Sequence, residues 1–333
     1  MPPIPRRRRL PTPAEAASWA FAAWVLALLA ATRLGDRWWL PTVLLYLPRW
    51  LWLAPLPVLA GVARRSPARR GAWSVQAIAA LLVLGPYMGF NLPIGREGRA
   101  RGVRFRVLTL NREGDAVDER RLAALVGRED VSLILFQEPS FRPGLDYLPS
   151  GWVRDRKHLI VTRFQVVREW DWGEPWFEYG IWPVRMGGLR LRTPEGAEFV
   201  AASVHFPTIR PGFERLARWD IEGLRDQVAW RLHQRDRLLA GLDEMGGVPL
   251  LFGGDFNATP DSPLFDPIRA RFRSAFERAG WGYGYTRPTA LPWARIDQLW
   301  VGDDWAVSRC WVGPDLGADH LPVLAEVVLR DRP

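Results

Sequence analysis

The chain has one cysteine, Cys310, in 333 residues. That excludes an internal disulfide and a zinc site built on paired thiolates. Acidic residues are scarce in the first hundred positions, three against thirteen arginines. The rest of the chain has no excess of either sign, with 32 basic and 33 acidic residues. The net charge of +9 therefore belongs to the N-terminal third. The remainder lacks the basic surplus with which proteins hold nucleic acid electrostatically. Internal repeats and low-complexity linkers are also missing, so the chain is not a repeat array. Its length still exceeds one average domain and allows a large core.

What the N-terminal third does contain is apolar. Between Glu15 and Arg33 lie 17 uncharged residues, a helix of roughly 26 Å, about the minimum for a hydrocarbon core. Residues 71–95 are also uncharged, and 38–63 is apolar apart from Arg49, with prolines at 41, 48, 55 and 57. Three transmembrane helices are predicted, over about 16–33, 38–62 and 72–93, within a module spanning 15–95. The arginines of "RRRR" (6–9) and "ARRSPARR" (63–70) assign both to the cytoplasm, with 1–14 as a basic cytoplasmic tail. The third segment then delivers residues 101–333 to the outer face of the cytoplasmic membrane. Two alternatives stay open. Residues 6–32 read also as a cleaved signal peptide. Segment 38–63 reads also as re-entrant because of its prolines, which would place the remainder in the cytoplasm.

From Arg104 the pattern becomes one of strands and helices. "RFRVLTLN" alternates as a half-buried strand does. "DERRLAALVGRED" is a helix with Leu122, Leu125 and Val126 on one face, and "VSLILFQEP" is a buried strand stopped by proline. "HLIVTRFQVVREW" is a strand pair or one long strand, and "LRLRTPEGAEFVAASVHF" is a hairpin. The longest helix, "DIEGLRDQVAWRLHQRDRLLAGLDEMGG", has Val228, Leu232, Leu238, Leu239 and Leu242 as core candidates. "VPLLFGGDFN", "ARIDQLWV" and "LPVLAEVVL" are further strands. Strands outnumber helices and several are sequence neighbours, which predicts packed sheets with helices outside.

Several strands end in polar residues that a core would reject: Asn111, Glu138, His205, Asp255 with Asn257, Asp297, and Asp319 with His320. Strand-end loops on a rigid scaffold are where catalytic groups concentrate. Carboxylates, amides and imidazoles without thiolates suit a hard divalent cation, Mg²⁺ or Mn²⁺, and a phosphate.

In order, "LN" (110–111), "FQE" (136–138), "SVHF" (203–206), "GGDFN" (253–257), "RID" (295–297) and "ADH" (318–320) resemble the motifs of the endonuclease/exonuclease/phosphatase superfamily, the DNase I-like proteins. The resemblance covers about 103–330. It implies a four-layer α/β/β/α sandwich as the catalytic domain. It implies that Glu138 binds one or two Mg²⁺ or Mn²⁺ ions, with Asn111 and Asp319 beside them. Asp255 would position or deprotonate the attacking water, and Asn257 would orient it. His320 would face the phosphate, held by Asp297, and His205 would be a second phosphate-facing histidine. The family usually has Ser where Ala318 stands. The glycines of "GGDFN" are expected to leave room for the phosphate, and Arg163 is expected to form a structural ion pair.

Substrate is less constrained. "HFPTIRPGFERLARW" (205–219) suggests Arg210 and Arg215 as phosphate contacts, and "REWDWGEPWFEYGIW" (168–182) an aromatic wall. Against this stands the plainer reading of core tryptophans and solvated arginines. The three-segment plan also resembles bacterial membrane proteins of the teicoplanin- and vancomycin-resistance-associated type. These features imply a phosphatase or phosphodiesterase acting on a lipid or lipid-linked phosphate. A membrane-tethered nuclease on DNA or RNA, or an idle phospho-ligand-binding module, are the alternatives. No protein partner is expected.

Overall fold

The computed structural model describes residues 10–93, 100–114, 116–138, 148, 151–155, 157, 159–171 and 186–331. Helix α1 (Pro13–Thr32) starts on a capping box: the Thr12 hydroxyl accepts from the Glu15 N–H, and the Glu15 carboxylate accepts from the Thr12 N–H. Helix α2 (Trp39–Tyr46) is followed by a 3₁₀ turn at Arg49–Leu53 and helix α3 (Pro55–Arg64). Helix α4 (Arg69–Leu82) runs into a π turn at Val83–Tyr87 around Pro86. Phe21, Val25 and Leu28 of α1 cluster with Val75, Ala79 and Val83.

Among the described residues, α1 is the one helix long and apolar enough on its own to cross a membrane. The single helix expected over 38–62 is not formed. The chain bends by 93° between α2 and the Arg49–Arg64 stretch. Pro48 and Pro55 each lack the N–H that a continuous helix needs. Arg49, 7% exposed, ties the break to the C-terminal domain: it donates to the Tyr87 carbonyl of the helical module at 2.7 Å and to Asp261 at 2.7 Å. The helix expected over 72–93 also ends early, and Asn91 pairs with Gly282 instead. Ser66 and Thr12 meet side chain to side chain at 3.3 Å, so residues 12 and 66 lie at one end of the module. Residues 36, 49 and 91 meet the C-terminal domain.

Two six-stranded sheets build the C-terminal domain. The strands are β1 (Gly102–Asn111), β2 (Val131–Gln137), β3 (Val153–Asp155), β4 (Ile160–Thr162), β5 (Gln165–Asp171), β6 (Met186–Arg192), β7 (Glu198–His205), β8 (Leu250–Asp255), β9 (Arg273–Ser274), β10 (Asp297–Val301), β11 (Trp305–Val312) and β12 (Val323–Arg330). The helices are α5 (Glu119–Arg128), α6 (Arg210–Leu216), α7 (Ile221–Glu244), α8 (Asp266–Arg269) and α9 (Ala275–Ala279). One sheet has the order β11-β12-β1-β2-β4-β3, the other β5-β6-β7-β8-β10-β9. The stretch "HLIVTRFQVVREW" therefore divides between the sheets, with β4 in the first and β5 in the second. Arg163 at the crossing pairs with Asp130 at 2.6 Å.

Alternation along the strands makes the layers. Phe105, Val107, Leu133 and Leu135 face Leu189, Phe199, Leu251 and Leu299 between the sheets. Leu108, Leu110 and Ile134 point the other way and are covered by Leu122, Leu125 and Val126 of α5. Val204, Phe252 and Trp300 on the far face of the second sheet meet Leu238 and Leu242 of α7. The result is the α/β/β/α sandwich.

Candidate active site

Register brings the polar strand ends together. In the second sheet His205 stands beside Asp255 across the parallel β7–β8 pair, and Asp297 stands beside Asp255 across β8–β10. In the first sheet Asn111 pairs with Gln137, which puts Glu138 one residue past the strand. His320 lies three residues before β12, next to β1. Both sheets thus offer their polar groups at the same edge of the sandwich.

Polar pins fix this edge. Ser203 of β7 donates to the Phe136 carbonyl at 2.7 Å and accepts from Gln137 Nε2 at 3.1 Å. Asn111 Nδ2 donates to Glu138 Oε1 at 2.9 Å and Asp255 Oδ2 at 3.0 Å, again joining the sheets. The Asn111 side-chain carbonyl accepts from the Glu113 N–H at 3.0 Å, which settles which side of the amide faces the carboxylates. Asn111 thereby positions two acids and presents its NH₂, not its oxygen, to them.

Asp255 is the hub, 1% exposed. It accepts from the Asn257 N–H at 2.8 Å and from Asn257 Nδ2 at 3.2 Å. Nε2 of His320 lies 3.7 Å away and Nε2 of His205 3.9 Å away. Burial raises the Asp255 pKa, Asp297 adds to this, and the two imidazoles work against it. His320 Nδ1 donates to Asp297 Oδ2 at 2.8 Å, since a carboxylate can only accept, which leaves Nε2 toward Asp255. Burial opposes charge on His320, but the Asp297 and Asp255 carboxylates outweigh it and push its pKa up to about 9.

Glu138 and Asn257 both adopt left-handed backbone, with φ of 50° and 48°. Such conformations persist where surrounding structure imposes them, commonly at functional sites. The glycines act differently from expectation. A Cβ on Gly254 would stand 1.8 Å from the Val204 carbonyl and 3.0 Å from Gln137 Nε2. Gly254 makes room for the neighbouring strand, not for a phosphate.

Glu138, His205 and Asp255 form one group of potential ligands, and Asp255, Asp297 and His320 another. Among the described residues, no arginine or lysine pairs with Glu138 or Asp255. Two carboxylates converging beside a neutral amide and an imidazole, without a cation, fit a divalent metal ion. Asp319 is drawn elsewhere: Arg287 binds its carboxylate, leaving it 3.6 Å from His320 Nε2 and outside both ligand groups. Arg215 is also drawn away, to Asp220 at 2.7 Å and Asp226 at 3.4 Å, which closes the α6–α7 corner. Arg210 is exposed at the start of α6. The aromatic stretch 168–182 falls beyond the described residues from 172 on.

Three contributors carry no sequence signal of their own. Arg287 holds Asp319, and Glu113 accepts from the Asp319 N–H at 2.9 Å. Arg231, 1% exposed on the buried face of α7, donates to the Asn257 carbonyl at 2.7 Å. A buried arginine in a long amphipathic helix looks like any solvated one until the helix is placed.

A sandwich of two sheets whose common edge presents a buried Asp–His pair next to a metal-fitting carboxylate cluster defines a hydrolase of phosphoric esters. The chain belongs to the Endonuclease/Exonuclease/phosphatase family, whose model matches residues 103–320. Solved structures similar to it include a family member from Bacteroides thetaiotaomicron, 18% identical with a TM-score of 0.55, covering 70% of this chain and 100% of that one. A mannosyl-6-phosphatase from the same organism is 17% identical with a TM-score of 0.53, covering 67% of this chain and 99% of that one. A functionally unknown conserved protein from Enterococcus faecalis is 18% identical with a TM-score of 0.52, covering 68% and 100%. At these identities the likeness is one of fold. No curated protein matches the chain.

Proposed function

We propose that this is a membrane-anchored, divalent-metal-dependent phosphatase or phosphodiesterase acting on a lipid or lipid-linked phosphate at the outer face of the cytoplasmic membrane. The observation that carries the reading is the docking of the apolar N-terminal module on the loop that follows β8. Arg49 donates to Asp261 at 2.7 Å, Ser262 bonds Asp36, and Arg231 reaches Tyr46 and Asn257 together. The loop that carries Asn257 is thereby bound to a module whose other helices expose Trp19, Trp24, Leu26, Val58 and Leu81. Such a surface is expected to sit in lipid, which would hold the site at the membrane. Residues 12 and 66 share the end of the module away from the catalytic domain, which supports placing both arginine runs in the cytoplasm. On this reading 1–14 is the tail, 15–95 the anchor with its second segment broken, and 101–333 the catalytic domain. The same plan underlies the likeness to the teicoplanin- and vancomycin-resistance-associated type.

Glu138 is the metal ligand in this proposal, with Asn111 holding it and Asp319 at the margin. A bound Mg²⁺ or Mn²⁺ would polarise the phosphoryl oxygen and stabilise the leaving oxygen. Asp255, raised in pKa by burial, accepts a proton from the attacking water, with Asn257 fixing its carboxylate. The new P–O bond forms opposite the leaving oxygen. His320, kept protonated by Asp297, gives its Nε2 proton to that oxygen as the old P–O bond breaks. His205, 3.6 Å from Glu138 Oε1, stands where it can face a phosphoryl oxygen. Arg210 remains a candidate for substrate contact.

Full-length protein in detergent with Mg²⁺, given polyprenyl pyrophosphate and plasmid DNA, tests the reading. Phosphate release from the lipid supports it. DNA nicking without lipid turnover overturns it in favour of a nuclease. Green fluorescence from a C-terminal reporter fusion in cells would overturn the outward placement.

A further inference from the structure

Where the helical module meets the catalytic domain lies a cavity of about 440 Å³. Its volume falls within the usual range for small-molecule sites. It is lined on one side by Arg33 at the end of α1, Arg49 and residues 86 and 88–91, and on the other by residues 259–261, 269, 277, 283, 285, 293 and 295. None of the residues placed at the active site belongs to it.

The charges are distinctive. Four arginines line the cavity, Arg33, Arg49, Arg269 and Arg295, with two acids, Asp261 and Glu277. Arg49 pairs with Asp261 at 2.7 Å and Arg269 with Glu277 at 2.9 Å. The acids are thus taken, and Arg33 and Arg295 remain. Arg33 is exposed at the C-terminal cap of α1. Arg295 is 8% exposed, and its guanidinium donates no hydrogen bond to the described residues. Its Nη1 is sealed from water without a partner, and its guanidinium rests on the Phe276 ring at 4.6 Å. Burial lowers its pKa, and the nearby Glu277 carboxylate works against this without bonding to it.

A buried guanidinium that no acid contacts directly is costly, and satisfied donors would offset much of that cost. Its planar fork matches phosphate oxygens two at a time. Tyr283, Tyr285 and Trp293 supply flat, amphipathic walls around it.

We propose that this junction cavity is a second anion site, which takes a phosphate-bearing headgroup on Arg295 and Arg33. If α1 crosses the membrane as proposed above, the cavity lies at the level of lipid headgroups; the lipid source, but not the anion site itself, rests on that reading. A ligand here would touch both modules and brace residues 259–261, two positions beyond Asn257.

The test uses the full chain with EDTA present, so that metal-assisted binding at the active site does not contribute. One arm titrates inorganic phosphate and glycerol phosphate in detergent. The other compares nanodiscs of phosphatidylglycerol with nanodiscs of phosphatidylcholine, reading the rise in thermal midpoint. Saturable binding in either arm is expected, and the arm that shows it names the source. Arg295→Gln should weaken it about tenfold, the worth of one charge-assisted hydrogen bond. Arg295→Lys should recover part of it. The midpoint of ligand-free Arg295→Gln reports folding. Binding absent from both arms, or binding indifferent to Arg295→Gln and Arg33→Gln in folded protein, overturns the proposal. Asp255→Asn separates the two ideas: it should remove hydrolysis and leave this binding in place.

Discussion

The active site and the junction cavity lie on either side of one loop, residues 255–262, and their chemistry is opposite. At the active site the buried groups are carboxylates and imidazoles, and no arginine or lysine pairs with Asp255 or Glu138 among the described residues. At the junction, arginines outnumber acids four to two. The first arrangement fits a cation and, through it, a phosphate. The second fits an anion directly. A net charge of +9 says nothing of this division, because the sign that matters is local and set by burial.

The same contrast separates two kinds of buried arginine. Arg49 and Arg231 have partners on both modules, and their removal would leave Asp261 or Asp36 without its cation and Tyr46 without its donor. Arg295 rests on the Phe276 ring but has no ion pair among the described residues, and its Nη1 has no hydrogen-bond partner. The first kind is a joint, and the second is an open valence.

The largest expected effect falls on the acidic side. Asp255→Asn should lower turnover about a thousandfold, within the range for a lost general base. Phosphate release by purified protein checks this; activity near that of the native chain would remove Asp255 from water activation. Chelation should likewise silence the enzyme, and Mg²⁺ should restore it, with no effect on Arg295-dependent phosphate binding.

Next comes the joint. Arg231→Met leaves the Asp36 carboxylate buried beside Ser262 without its cation. Breaking one partner of a buried pair costs about 3–5 kcal/mol. The thermal midpoint in detergent should fall, and kcat with it because the Asn257 carbonyl loses its donor. A midpoint equal to the native one would mean that the modules are not joined here.

Asp297→Asn should cost about a hundredfold in kcat. It also has a pH signature. The groups facing His320 are Asp297, Asp255 and Asp319, with Arg287 opposing them. The carboxylates raise its pKa, so loss of one lowers it, and the alkaline limb of the rate profile should move to lower pH. A loss of rate with an unmoved limb would make Asp297 only a packing residue.

The smallest effect is expected at Arg215, whose guanidinium is held by Asp220 and Asp226. Arg215→Gln should change KM by no more than about twofold, as exposed pairs contribute little. A large rise in KM would return it to the substrate.

Most of the strand-end residues were legible in the sequence because each ends an apolar run, a pattern a core would otherwise forbid. Asn111, Glu138, His205, Asp255, Asn257, Asp297 and His320 come together at one edge. Their individual duties were less legible. Asn111 reads as a ligand in sequence, yet its side-chain carbonyl is taken by Glu113 and its NH₂ bridges two acids. Asp319 reads as metal-facing, yet Arg287 claims it. Segment 38–62 reads as one span, yet Arg49 within it belongs to the domain interface.

By itself the sequence determined the periodicities, and with them the strands, the amphipathic helices, the apolar N-terminus and the residue types available for chemistry. Those follow from local rules: two-residue and 3.6-residue repeats, proline's missing donor, and the exclusion of polar groups from the core. Tertiary structure alone decided which charges cancel. Arg231, Arg49 and Arg295 are the same residue type in the same apolar company. Arg231 and Arg49 find hydrogen-bond partners 26 and 212 residues away, and Arg295 finds only the Phe276 ring, with no ion pair among the described residues. Burial magnifies the consequence of having a partner or lacking one.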